Sequence, residues 1–282
     1  MIYDRKEKKL YKDNQYGGNY LKFLYETKTG RILLKFIINP VFSKIYGFYN
    51  NTKLSKNKIQ KFIIKNNINI DEYEKKEYKS FNDFFTRKKV NLNFVKDKNI
   101  FISPANSKLT VYKITDDLRI KVKQSFYTLE ELTHEKGNLD KFKNGNCFVF
   151  RLSMDDYHRF CHIDNGFIKK AKKINGKLHT VSSISSKHKV YSQNSRIVNF
   201  LQTSNFGDIF FIEVGALLVG KIHIYQNRIF SKGDEKGYFE LGGSTIVILT
   251  DDKIKIDNDI IENSQNNIET KVEYGERIGI KC

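Results

Sequence analysis

From about residue 100 onward the chain is a succession of short apolar or alternating runs separated by polar turns, over 108–114, 118–122, 146–152, 167–174, 209–214, 217–225, 245–249 and 254–257. Runs of this length, bounded by turn-forming residues, predict strands. Parallel strands need crossover helices, and little helical sequence separates these runs, so the pattern predicts a mainly antiparallel assembly. Upstream the spacing becomes helical. Leu21, Leu24, Tyr25, Ile32, Leu33, Phe36 and Ile37 recur at helical intervals with Lys22, Lys28, Arg31 and Lys35 between them, and Pro40 marks a stop. A second helix is predicted over 56–65, with Ile59, Phe62 and Ile63 on one face and Ser55 as its N-cap. The expected fold class is therefore α+β. A helical, basic region over 1–95 packs on a β-rich region over 96–282, and the absence of a repeat or a Pro-rich linker predicts one packed unit.

The formal net charge is +18, and residues 1–70 carry fifteen Lys and Arg against four Asp and Glu. Such a region could rest on an anionic lipid surface, at about 1 kcal/mol per well-placed cation. A general bias toward Lys, Asn and Ile accounts for the charge equally well. The run over 32–38 is too short to span a bilayer and contains Lys35, so its apolar stripe either lies in a membrane interface or packs on the protein's own core. A nucleic-acid partner is not expected, because no zinc finger, RNP signature or other such module accompanies the charge. Cys147, Cys161 and Cys282 are too few and too scattered for a disulfide framework or a metal site, which suits a reducing cytoplasm. The first residues lack the apolar core of a signal peptide, so secretion is not expected.

Gly242-Gly243-Ser244-Thr245 stands between two apolar runs near the C-terminus. Without a side chain, Gly243 lets a nucleophile approach its carbonyl carbon, so Ser244 Oγ could attack the peptide bond that precedes it. The plainer alternative is a glycine turn between two strands.

Several segments favour the first option. Phe81-Asn82-Asp83-Phe84-Phe85-Thr86-Arg87, Ser103-Pro104-Ala105, Asp156-Tyr157-His158-Arg159, Leu178-His179-Thr180-Val181, Glu213-Val214-Gly215-Ala216 and the Gly-Gly-Ser-Thr follow one another in order, with Gly233-Asp234-Glu235-Lys236-Gly237 leading into the serine. In these the chain resembles the phosphatidylserine decarboxylase family over most of its length. The resemblance implies a proenzyme that cleaves itself between Gly243 and Ser244 into a β chain of 1–243 and an α chain of 244–282. The new N-terminus would be a pyruvoyl group derived from Ser244, an electron sink built from the protein. The implied reaction converts phosphatidylserine in an anionic membrane to phosphatidylethanolamine and CO₂. The implied location is peripheral, on the cytoplasmic face of the cell membrane, and a homodimer is left open.

A serine hydroxyl needs a base and a group that orients the base. The resemblance assigns His158 to proton handling in decarboxylation and makes His179 a second histidine near the site. Here the sequence departs from the family's commonest pattern. Asn106 stands where an Asp is usual, and Cys161 where a second His is usual, with His162 one place later. Asn106 could still accept from an imidazole N–H but carries no charge. His162 can replace the missing His whether the segment bends or extends. Asp155, Asp156 and Asp164 are alternative orienting acids. If Asn106 and Cys161 disable maturation, the chain would instead be an unprocessed or slowly processed lipid-binding relative. His134, His188 and His223 are expected to have no catalytic role. No metal is expected: His158 and His162 have a two-ligand spacing but lack the intervening Glu and a third ligand.

Overall fold

The computed structural model of the chain describes residues 1–13, 17–122, 125–137, 139–185, 188–218, 221–225 and 227–282. Most of the apolar runs become strands of one ten-stranded sheet. Its order is Ile229–Phe230, Gly166–Ile174, Arg196–Thr203, Gly207–Gly215, Ser244–Thr250, Asn146–Leu152, Ser107–Lys113, Glu269–Val272, Ile2–Asp4 and Lys9–Tyr11. Its neighbours are antiparallel, except that Ile2–Asp4 runs parallel to Glu269–Val272.

Alternation along the strands gives this sheet two apolar faces. Ile246 and Ile248 join Phe148, Phe150 and Phe211 in one core, while Val247 and Leu249 join Val149 and Ile212 in the other. Two three-stranded sheets close the first core. One comprises Ile222–Ile224, Glu235–Phe239 and Arg159–Cys161, the other Ile254–Ile256, Arg277–Lys281 and Ile100–Ile102. A hairpin of Arg119–Val122 and Ser125–Thr128 contributes Ile120, Val122 and Tyr127 to the second core.

Several strands were not legible. Arg196–Thr203 is broken by polar residues, because Asn199 is buried and donates its amide to Glu213 Oε2 at 2.8 Å. The expected strand over 217–225 shrinks to Ile222–Ile224: Leu217 and Leu218 form a turn with Leu218 at φ 68°, and Val219 and Gly220 lie outside the described residues.

The helical region consists of α1 (Gly18–Glu26), α2 (Lys28–Ile37), α3 (Pro40–Asn50), α4 (Asn57–Asn66) and the short α5 (Phe81–Phe85). The continuous stripe read from the sequence is two helices. Thr27 ends α1 in an extended conformation, and its Oγ1 accepts from Gly30 N at 2.9 Å to start α2. Gly30 permits the tight turn, since a Cβ there would lie 1.9 Å from Phe23 O. Ser55 does not cap α4. Its Oγ accepts from Phe81 N at 2.9 Å and so fastens α5 to the start of α4. The N-terminus also differs from a purely helical region, because Ile2–Asp4 and Lys9–Tyr11 are strands built into the large sheet.

Leu24, Tyr25, Leu34, Ile37 and Ile38 form a small core between α1 and α2. Apolar residues of α2, α3 and the turn after α3 stay bare: Phe36, Ile45, Phe48 and Leu54 are 68, 66, 75 and 75% exposed. Among the described residues no helix is long and apolar enough to cross a membrane.

Candidate active site

Ser244 is the first residue of an interior strand, held between Gly215 on one side and Leu152 on the other. It is fully buried, and among the described residues neither its Oγ nor Thr245 Oγ1 has a hydrogen-bond partner. Buried hydroxyls without partners are uncommon because each forfeits its hydration, so two in succession mark a site. Gly242 adopts φ 139°, a conformation that side chains disfavour. A Cβ on Gly243 would meet nothing nearer than 3.8 Å, so the carbonyl before Ser244 has open space beside it.

His158 belongs to the same packing unit. Its ring lies 4.3 Å from that of Phe85, and Phe81, Phe84 and Phe85 form one cluster with Leu241. Its backbone carbonyl accepts from Phe239 N at 3.0 Å, close before the glycines. His158 Nδ1 lies 2.9 Å from the Asp156 carbonyl, so that nitrogen carries the proton and Nε2 keeps a lone pair. Nε2 is buried without a partner among the described residues. Burial pushes the imidazole down to about 3, so it is neutral at pH 7.

Gly243 also lines a cavity of about 630 Å³. On the sheet side the cavity is bounded by Leu152, Ser153, Val181 and Leu217, and on the helical side by residues of α1, α3 and α4 such as Tyr20, Phe42 and Phe62. Gly243, next to the orphaned Ser244 hydroxyl, thus lines a largely apolar space large enough for a small ligand.

The profile of the family described as phosphatidylserine decarboxylase matches residues 81–280. The chain is 54% identical to phosphatidylserine decarboxylase proenzyme 2 of Clostridium acetobutylicum, covering 99% of this chain and 97% of that protein. It is 41% identical to the phosphatidylserine decarboxylase proenzyme of Clostridium novyi, covering 99% of each, and 42% identical to that of Clostridium tetani, covering 99% and 98%. The chain belongs to the phosphatidylserine decarboxylase family. The matched segment begins at Phe81, the first residue of α5.

The residues that depart from the family's usual pattern gather around Tyr274, not around a histidine. Asn106 Oδ1 accepts from Tyr274 N at 2.9 Å, so the expected imidazole partner is replaced by a backbone amide. Cys161 is buried beside Tyr274, its N–H donates to Pro104 O at 2.9 Å, and burial raises its thiol to about 12, which keeps it protonated. His162 follows the extended strand Arg159–Cys161 and lies flat on Phe230 at 3.8 Å. Its Nδ1 is buried without a partner among the described residues, and burial, with Lys236 nearby, holds it down to about 2. The Asp carboxylates face elsewhere: Asp156 binds Lys108 at 2.6 Å, Asp155 approaches the same Lys at 3.8 Å, and Asp164 accepts from Asn205.

His179 is linked to the N-terminal helices. Its Nδ1 lies 3.2 Å from Tyr25 Oη, its ring stacks on His188 at 4.6 Å, and burial lowers it to about 4. Asn194 Nδ2 donates to both His179 O and Gly215 O at 2.8 Å, which ties this segment to the residue paired with Ser244. His223 pairs with Glu240 at 2.6 Å.

Four contributing residues were missed in the sequence. Asn82 Oδ1 accepts from Leu241 N at 3.0 Å, pinning the chain three residues before Ser244. Arg159 reaches back to Thr86 O at 2.7 Å and to Glu235 at 2.5 Å. Glu213 and Lys236 form a fully buried ion pair at 2.6 Å, joining the Glu-Val-Gly-Ala and Gly-Asp-Glu-Lys-Gly segments. Each lies inside a motif already quoted, so the signal was there. Its meaning depended on contacts between distant segments.

Replacing Asn82 by Ala should leave Leu241 N–H buried without an acceptor and cost about 1–3 kcal/mol of stability. A urea titration checks this, and an unchanged midpoint would contradict it. The histidines set the pH response. His158, His162 and His179 are neutral when folded and titrate near 6.5 when unfolded, so the unfolded chain binds more protons below that pH. Their contribution is complete above about pH 6.5 and is lost as pH falls toward 4 and below. The melting temperature should fall progressively as pH is lowered from 6.5 toward 4, and a flat profile across that range would count against buried neutral imidazoles.

Proposed function

We propose that this chain is a self-cleaving phosphatidylserine decarboxylase whose pyruvoyl group comes from Ser244. The observation that carries the reading is the Ser244 hydroxyl, buried and without a partner among the described residues, directly after a glycine that lines the cavity. Oγ adds to the Gly243 carbonyl carbon, the C–N bond breaks, and the amide becomes an ester with a free Ser244 amine. Loss of the Ser244 α-proton expels the Gly243 carboxylate and leaves dehydroalanine. Water then releases ammonia and leaves the pyruvoyl N-terminus. The residues fit such a group: Oγ has no competing hydrogen bond among the described residues, and the missing side chain of Gly243 leaves room beside it. The pyruvoyl group supplies an electron sink for the charge released as CO₂ departs. Gly215 and Leu152 fix the Ser244 backbone from both sides, and neutral His158 offers Nε2 as a proton carrier.

The bare apolar residues of α2 and α3, with Lys35, Lys44 and Lys53 nearby in sequence, support peripheral attachment to the cytoplasmic face of an anionic membrane. The test is incubation of the purified protein with phosphatidylserine in mixed micelles. Phosphatidylethanolamine should appear with CO₂, together with a 244–282 fragment whose mass carries a terminal carbonyl. An intact chain that leaves phosphatidylserine unchanged would refute the proposal.

A further inference from the structure

The cavity beside Gly243 has a cationic side that neither self-cleavage nor proton transfer uses. Lys58, Lys61 and Lys65 of α4 all line it, at a spacing that sets them along one helix face. Lys58 is the telling residue. It is half-buried, and its Nζ donates to a neutral amide, Asn50 Oδ1, at 3.0 Å, while lying 4.3 Å from the Tyr49 ring centroid and 5.3 Å from that of Tyr46. Burial lowers its pKa, as expected for a cation stripped of part of its water. The two carboxylates that also line the cavity face other cations: Asp13 binds Arg151 at 2.7 Å, and Asp155 approaches Lys108 at 3.8 Å.

A partly desolvated cation held by neutral and aromatic groups at an apolar cavity is a ready receptor for an anion. We propose that Lys58 and Lys61 form a subsite for the phosphodiester of a glycerophospholipid, placing its headgroup toward Gly243 and its acyl chains along the apolar residues of α1 and α3. This rests on the decarboxylase reading for the identity of the headgroup, but the phosphate contact itself would serve any phospholipid that enters.

The experiment is calorimetric binding of dihexanoylphosphatidylethanolamine below its micellar concentration, which removes adsorption to a lipid surface. Wild type is compared with Lys61→Gln, Lys58→Gln/Lys61→Gln and Lys58→Arg, with Lys255→Gln on the strand Ile254–Ile256 as an exposed control outside the cavity. Dihexanoylglycerol, which has the chains without phosphate, and inorganic phosphate are the companion ligands. The double variant should bind the phospholipid at least about tenfold more weakly and Lys61→Gln several-fold more weakly, with Lys58→Arg and Lys255→Gln near wild type and dihexanoylglycerol indifferent to every change. Inorganic phosphate should compete only weakly; competition as strong as the lipid's would overturn the lipid assignment in favour of a free-phosphate site. Equal affinity across all variants, or an equal loss in Lys255→Gln, would overturn the subsite. Phospholipid binding that depends on Lys58 and Lys61 in a protein that leaves phosphatidylserine unconverted would count against the decarboxylase reading and support the subsite.

Discussion

Ser244→Ala is expected to give one uncleaved chain of 33.1 kDa after a day of incubation, under conditions in which the wild type separates into two fragments. The hydroxyl is the sole atom removed, and it has no hydrogen-bond partner among the described residues, so the fold loses little. The chemistry loses its nucleophile. Removing the nucleophile of a serine-based site can cost on the order of 10⁶ in rate, which takes cleavage below detection. Decarboxylation should vanish with it, because Ala cannot yield a carbonyl at the new terminus. Fragments of unchanged mass in the variant would place the cut elsewhere and remove Ser244 from the mechanism.

His158→Gln should separate the two stages. The imidazole is fixed through Nδ1 on the Asp156 carbonyl and packed on Phe85, and its Nε2, without a partner among the described residues, is the atom proposed to exchange a proton. Gln can occupy the space but is neither acid nor base near neutral pH, so conversion of phosphatidylserine should fall by about 10²–10⁴. The variant should still separate into its two chains. Intact-mass measurement alongside the lipid assay checks both parts. If cleavage also stops, His158 is the base that activates Ser244, and its assignment to decarboxylation alone is wrong.

The antiparallel β-rich body was legible because it depends on local pattern, whereas Gly-Gly-Ser-Thr read locally allows a plain turn and gained meaning only from the ordered segments around it. Apolar alternation identified strands such as Asn146–Leu152, and of the two glycines Gly242 takes the unusual torsion that a glycine pair permits. Strand Arg196–Thr203 was hidden because the polar side chain of Asn199 fills an inward position by bonding to Glu213, a residue fourteen places away. The break at Thr27 was hidden because both helices continue the same apolar spacing. Asn106 and Cys161 illustrate a different difficulty. Chain position suggested that they flank a histidine, whereas packing gives both to Tyr274, so a motif's order along the chain did not fix its partners in space.

The strand Ser244–Thr250 lies between Gly207–Gly215 and Asn146–Leu152, and Glu269–Val272 lies between Ser107–Lys113 and Ile2–Asp4. With the cut proposed between Gly243 and Ser244, both would come from the small fragment and run as interior threads through a fabric woven by the large one. Arg5 adds a stitch near the opposite end, binding Asp257, Asp259 and Glu276 at 2.7–3.0 Å. The scission is thus an edit made to a finished object. The peptide that leaves the ribosome must already hold its final shape before the bond can break, and breaking it frees a chemical group without freeing either piece.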